Sequence, residues 1–141
     1  MINLIEIISI LTASLIFGGM IFFASFMAPL VFIKLPAETA GKFIREVFPW
    51  YYLAFGCLSL LLALLLYANP NKWFISIMLA NVFAFALARQ WLMPAINATR
   101  DVVLQGDATA NEKFNTLHRV SVAMNSLQLL SISIVLYFLI K

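Results

Sequence analysis

The sequence predicts an all-α integral membrane protein, a bundle of four transmembrane helices with a short amphipathic interfacial helix between the first and second. Three observations lead there. Four apolar stretches, roughly residues 4–33, 50–67, 73–93 and 120–140, fill most of the 141 residues, and each meets or nearly meets the ~20 apolar residues that a bilayer-spanning helix needs. Hydrophobic residues make up 64% of the chain and charged residues 11%, with a mean hydropathy of +1.00. A soluble domain of this size has too much surface for its volume to hide that much apolar material. The connections between the stretches are short, so residues 1–141 read as a single four-helix domain.

The first stretch lacks the basic region of a secretory signal peptide and far exceeds the ~7–15 apolar residues of a signal core, which predicts an uncleaved first helix. Glu6, near its start, belongs at the membrane surface, where a charge is tolerable. From Ile7 to Ile33 the helix would reach about 40 Å, more than the ~30 Å hydrocarbon core. Tilt, or a kink at Pro29, absorbs the excess. Residues 36–49 are patterned differently. Ala37, Ala40, Gly41, Ile44, Val47 and Phe48 share one helical face, and Glu38, Lys42, Arg45 and Glu46 the other. Pro36 suits a helix start and Pro49 a stop, so this segment is expected as a separate helix lying in the membrane surface.

The second span opens on Trp50, Tyr51 and Tyr52 and contains Cys57, the sole cysteine, which excludes an intrachain disulfide. Ala68-Asn69-Pro70-Asn71-Lys72 reads as a tight turn between antiparallel helices. Pro94 and Gly106 punctuate the third connection. Thr109-Ala110-Asn111-Glu112 fits a capping box, which starts the fourth helix near Ala110, about two turns before the membrane.

Charge sets the orientation. Lys34, Lys42, Arg45, Arg100, Lys113 and Arg119 fall in the first and third connections, with Arg89 beside them, against Lys72 and Lys141 on the opposite side. Short basic loops stay cytoplasmic, so loops 34–49 and 94–119 are expected inside and both termini outside. Trp50, Trp73, Trp91, Tyr67 and Tyr137 all fall at the interfaces this topology predicts. The net charge of +3 is accounted for by this orienting role, and no nucleic-acid partner is expected.

Small residues mark packing seams: Ser14, Gly18, Ser25 and Ala28 in the first span; Gly56, Ser59 and Ala63 in the second; Ser76, Ala80, Ala84 and Ala88 in the third. His118, Ser121, Asn125 and Gln128 lie within about 80° of one another on the fourth helix. Asn81, Arg89 and Gln90 lie on the third. Polar groups in hydrocarbon need partners, so His118, Asn125, Gln128, Asn81 and Arg89 are expected to turn inward, Asn125 bonding to Asn81 or to backbone of the first span. The stripe is either a structural network or a small polar cavity, open to the cytoplasm, for a small molecule or an ion.

Several sharper chemistries are excluded. One histidine does not supply two axial haem ligands, no cluster offers about four zinc ligands, Ser121 with His118 lacks a third orienting group, and no glycine-rich phosphate loop occurs. No cofactor and no metal site are expected. Two function classes remain: a non-enzymatic binding or permeation unit that self-associates in the bilayer, and a membrane enzyme or cofactor carrier using His118 with Arg45 or Arg89.

Three motifs, in order, carry a family resemblance. They are Gly18-Gly19-Met-Ile-Phe-Phe-Ala-Ser-Phe-Met-Ala-Pro29-Leu-Val-Phe32, Ala40-Gly41-Lys-Phe-Ile-Arg-Glu-Val-Phe48-Pro49-Trp-Tyr-Tyr52 and Leu117-His118-Arg-Val-Ser121-Val-Ala-Met-Asn125. Together they resemble the bacterial domain of unknown function 4149 proteins, whose eukaryotic relatives are the transmembrane protein 205 group. The resemblance implies a four-helix protein of a bacterial inner membrane and no established reaction. It marks Arg45, His118, Ser121 and Asn125 as a candidate polar site.

Overall fold

Four helices, each long and apolar enough to cross a membrane, make up nearly all of the computed structural model, which describes residues 3–141: α1 (Leu4–Lys34), α2 (Ala37–Leu65), α3 (Trp73–Leu104) and α4 (Ala110–Ile140). Among the described residues there is no strand. Asn3 caps α1 reciprocally with Glu6: the Asn3 side-chain oxygen accepts from the Glu6 N–H at 2.9 Å, and the Glu6 carboxylate accepts from the Asn3 N–H at 2.9 Å. That contact gives Glu6 its place at the helix start.

The links at residues 35–36, 66–72 and 105–109 are short, so successive helices run antiparallel. Each packs against its two neighbours in a ring, α1–α2–α3–α4. The core is built from Ala13, Ile16 and Met20 of α1, Tyr52, Leu62 and Ala63 of α2, Met78, Phe85 and Ala88 of α3, and Ile132 and Val135 of α4. The outer surface carries the large apolar side chains, among them Leu11, Leu15, Phe83 and Leu127, while Ser9, Thr12, Ser59, Asn81 and Gln128 are buried. Apolar outside and polar inside is the arrangement a lipid solvent requires. Trp50, Tyr67, Trp73, Trp91 and Tyr137 all point outward, as interfacial anchors do.

Two prolines that the sequence pattern reads as breaks lie inside helices, and a third sits just past a widened turn. Pro49 is internal to α2, which runs unbroken from Ala37. The segment expected as a separate interfacial helix is therefore the first part of α2, with Ala40 of its apolar face fully buried. Similarly, α3 continues through Pro94 to Leu104, so the third connection shrinks to residues 105–109. The water-phase rule against internal proline relaxes in membrane helices, because neighbouring groups and local widening satisfy the disturbed carbonyls. At Pro49 the carbonyl that the ring disturbs is that of Arg45; Arg89 Nε donates to the Pro49 carbonyl itself at 3.1 Å, which ties α3 to α2 there. Local widening operates at the other two prolines. Pro29 and Pro94 each follow a single π turn, Phe23–Met27 and Ala88–Leu92 respectively. Each turn contains the residue four back from the proline, whose carbonyl the ring would otherwise strike.

The connection into α4 differs in one detail. α4 begins at Ala110 as expected, but Thr109 is helical and its side chain caps nothing. Asp107 holds the turn instead, accepting from the Thr109 hydroxyl at 2.6 Å and the Thr109 N–H at 2.9 Å. Those bonds keep its carboxyl below the usual carboxylate range. Gly106 supplies the left-handed φ of 97° that closes α3.

The small-residue stripes part company. Ser59 and Ala63 are buried, and Gly56 meets Phe85, where an added Cβ would lie 3.5 Å from the ring-bearing carbon. On α1, Ser14, Gly18 and Ser25 face outward, and nothing lies within 4 Å of a Cβ built on Gly18. The buried side of α1 is Ser9, Thr12, Ala13, Ile16 and Met20.

Candidate functional site

All four helices are about 30 residues long, or roughly 45 Å, and at the lysine- and arginine-rich end they outrun a ~30 Å hydrocarbon core. At that end they enclose a chamber of about 450 Å³. The first π turn brings Phe23 and Ala24 to its wall, and Ala28 and Phe32 follow. α2 contributes Gly41, Ile44, Arg45, Phe48 and Tyr51, and the α3 extension adds Met93, Ile96, Asn97 and Arg100. α4 supplies Phe114, His118, Ser121, Val122 and Asn125. The walls are thus mainly aromatic and aliphatic, with a few convergent polar groups, the usual makeup of a small-molecule site.

Four of the expected site residues, Arg45, His118, Ser121 and Asn125, meet in this chamber. Arg45 forms a bidentate ion pair with Asp101, Nη2 to Oδ1 at 2.6 Å and Nη1 to Oδ2 at 3.3 Å, and reaches the Asn97 carbonyl at 3.4 Å. The His118 ring stacks on Phe114, 6.1 Å between centroids and 11° from parallel. Tyr52 and Tyr51 cross the bundle to α4, their hydroxyls lying 3.4 Å from Ser121 Oγ and 3.5 Å from Asn125 Oδ1. Asn125 otherwise donates to the Ser121 carbonyl one turn back, at 3.0 Å. The expected Asn125–Asn81 bond is not made. Asn81 donates instead to Ser131 Oγ at 2.7 Å and the Ile77 carbonyl at 2.9 Å.

The other three candidates lie elsewhere. Arg89 is held by Pro49 and does not line the chamber. Asn81 and Gln128 border a separate groove of about 320 Å³ between α3 and α4. Gln128 is 4% exposed, and neither amide atom has a hydrogen-bond partner. Gln90, next to Arg89, is exposed. The deep end of the chamber is closed by an aromatic cluster in which Phe23, Phe48, Tyr51, Tyr52, Phe55 and Phe85 stand 4.6–6.5 Å apart, ring to ring.

Sequence reasoning missed Arg100, Asn97 and Tyr51. The stop signal at Pro94 places the first two in a loop. With α3 continued, Asn97, Arg100 and Asp101 fall at i, i+3 and i+4 and share one face opposite Arg45. Behind the two arginines lies a polar vestibule of about 390 Å³, also lined by Glu38, Lys42 and Asp101. Gly41, Arg45 and Arg100 line both spaces. Among the described residues no three His, Cys, Asp or Glu side chains gather as a metal site would need.

The Arg45–Asp101 pair is partly solvated, with side chains 39% and 47% exposed. Exposed pairs contribute about 0–1 kcal/mol. Asp101→Asn is therefore expected to leave the unfolding midpoint in mixed micelles close to that of the wild type; a marked loss would mean that the pair fixes the α2–α3 extension.

Comparison with known proteins supplies a family and no reaction. Residues 11–102 match the family model described as Domain of unknown function (DUF4149). An uncharacterised protein of Aquifex aeolicus (strain VF5) is 28% identical over 121 residues, covering 85% of this chain and 86% of that protein. No solved structure matches.

Proposed function

We propose that this chain, which belongs to the family described as Domain of unknown function (DUF4149), is a non-enzymatic membrane protein that binds a small ligand in the chamber at its basic end. The observation that carries this reading is the convergence of Arg45, His118, Ser121 and Asn125, from two different helices, on one mainly apolar cavity of ligand size. The aromatic cluster at the deep end favours binding over permeation, since it stops the chamber short of the opposite face. Basic residues concentrate around the chamber, which supports a cytoplasmic opening with both termini outside; the relative is bacterial, in keeping with an inner membrane. Self-association is part of the proposal. Ser14 and Gly18 sit four residues apart on the outer face of α1, where close helix approach is open to a second copy. The alternative, a membrane enzyme or cofactor carrier pairing His118 with Arg45 or Arg89, has less support, because Arg45 is engaged by Asp101 and Arg89 by the Pro49 carbonyl.

The test is to extract and identify, by mass spectrometry, small molecules that copurify with the wild type, Asn125→Leu and His118→Leu. Asn125 makes one local bond and one long one, and membrane hydrogen bonds average about 0.6 kcal/mol, so both variants are expected to fold with little loss. The bound molecule should fall in both, and further in His118→Leu. Full retention in both variants would sink the proposal.

A further inference from the structure

We propose that the chamber's occupant is a single-chain anionic amphiphile, its head group held by Arg100 above Gly41 and its chain lying in the apolar chamber. The inference rests on the binding role proposed above and adds the ligand's chemical class. The vestibule has three cations, Lys42, Arg45 and Arg100, against two carboxylates, Glu38 and Asp101. Both carboxylates are committed: Glu38 to Lys42 at 2.7 Å and Asp101 to Arg45 at 2.6 Å. Neither ion pair involves Arg100, so the surplus positive charge resides there. Its guanidinium lies across the α2 backbone at Gly41, where a Cβ would come within 2.7 Å of Nη2 and 3.0 Å of Cζ. Glycine at this position lets the planar group lie on the helix and face both vestibule and chamber. A guanidinium is the side chain suited to gripping a carboxylate or phosphate through two parallel bonds.

The opposite side of the chamber suits a hydrocarbon chain. Past the first π turn, Ala28–Lys34 packs chiefly on α2, leaving α1 and α4 parted. Ala24, Phe32 and Val122 line the chamber there and are also exposed, which makes a lateral apolar opening. The volume, about 450 Å³, equals roughly fifteen water shares of ~30 Å³, room for one alkyl chain with its head and not for the paired chains of a phospholipid. An alkyl carboxylate and an alkyl phosphate present the same chemistry to this site.

The experiment uses the full chain in nanodiscs of a zwitterionic lipid, photolabelled with a diazirine derivative of dodecanoate, with labelled peptides mapped. Competitors are dodecanoate, dodecyl phosphate, dodecanol, dodecyltrimethylammonium and inorganic phosphate. Labelling is expected in the peptides around Phe32 and Val122. The two anionic chains should compete at least about tenfold better than dodecanol or the cation, the ratio that one charge-assisted hydrogen bond supplies, and inorganic phosphate should not compete. Arg100→Gln should erase the discrimination while labelling persists, and Gly41→Ala, which displaces the guanidinium, should weaken it. Equal competition by all four chains, or discrimination intact in Arg100→Gln, overturns the head-group assignment and leaves the chamber as a binding site. Competition by inorganic phosphate alone makes the site one for free anions and overturns the amphiphile. Absence of saturable labelling in the chamber overturns the amphiphile, and the copurification experiment then decides the binding role separately.

Discussion

Phe85→Ala is expected to destabilise the bundle by about 2 kcal/mol, read from the denaturing-detergent midpoint of the refoldable protein. Phe85 is 1% exposed and stands 6.2–6.5 Å from the rings of Phe55, Tyr52 and Tyr51, with Gly56 opposite it, where an added Cβ would lie 3.5 Å from the Phe85 Cβ. In water-soluble cores such a truncation costs ~3–5 kcal/mol, part of it transfer free energy. Helices separated in a bilayer still keep Phe in hydrocarbon, so the transfer part falls away. The void remains, and a ring-sized cavity at about 24 cal/mol per Å³ gives the quoted value. Since Tyr51 leans on Phe85 and also lines the chamber, ligand occupancy should fall with stability. A loss under about 0.5 kcal/mol, within the range of a single membrane hydrogen bond, would show that the aromatic cluster is not what ties α2 to α3.

Gln128→Met is expected to change stability in the opposite direction, by about 1 kcal/mol. Both amide atoms of Gln128 are buried without partners in the assembled bundle, whereas on a separated helix the amide finds partners more readily. Assembly therefore strands it, and an unbranched apolar side chain of similar length removes that penalty while filling the same space. The same detergent titration reads the gain. A loss of about 1 kcal/mol or more would mean that the amide is satisfied in the folded protein and belongs to a polar network reaching deeper than Asn125.

The fold was legible because the bilayer leaves few choices. Apolar runs near 20 residues must be helices, short links force antiparallel order, and the tryptophans and basic residues sort by side. Helix ends were less legible. Pro49 and Pro94 carry the stop signal of soluble helices, yet α2 runs through the first and α3 through the second, and spacing alone does not announce the widened turn at Ala88–Leu92 that precedes Pro94. The stripes show the same limit. Spacing puts Ser14 and Gly18 on one face but does not say what that face meets, and here it meets the outside. Within the site, the single face holding His118, Ser121 and Asn125 was readable from α4 alone. Arg100 was not, because its place depends on α3 continuing past Pro94, and its chemistry depends on Gly41 of another helix.

The central claim is that the basic-end chamber holds a ligand, and it is tested most directly by a high-resolution map of the protein in nanodiscs made from its own native membrane. The account predicts continuous elongated density between α1 and α4, entering beside Phe32 and Val122 and ending against Arg100. A map in which Ala28–Lys34 closes onto α4 and Phe23, Phe32 and Phe114 fill the space, leaving no chamber, would contradict it.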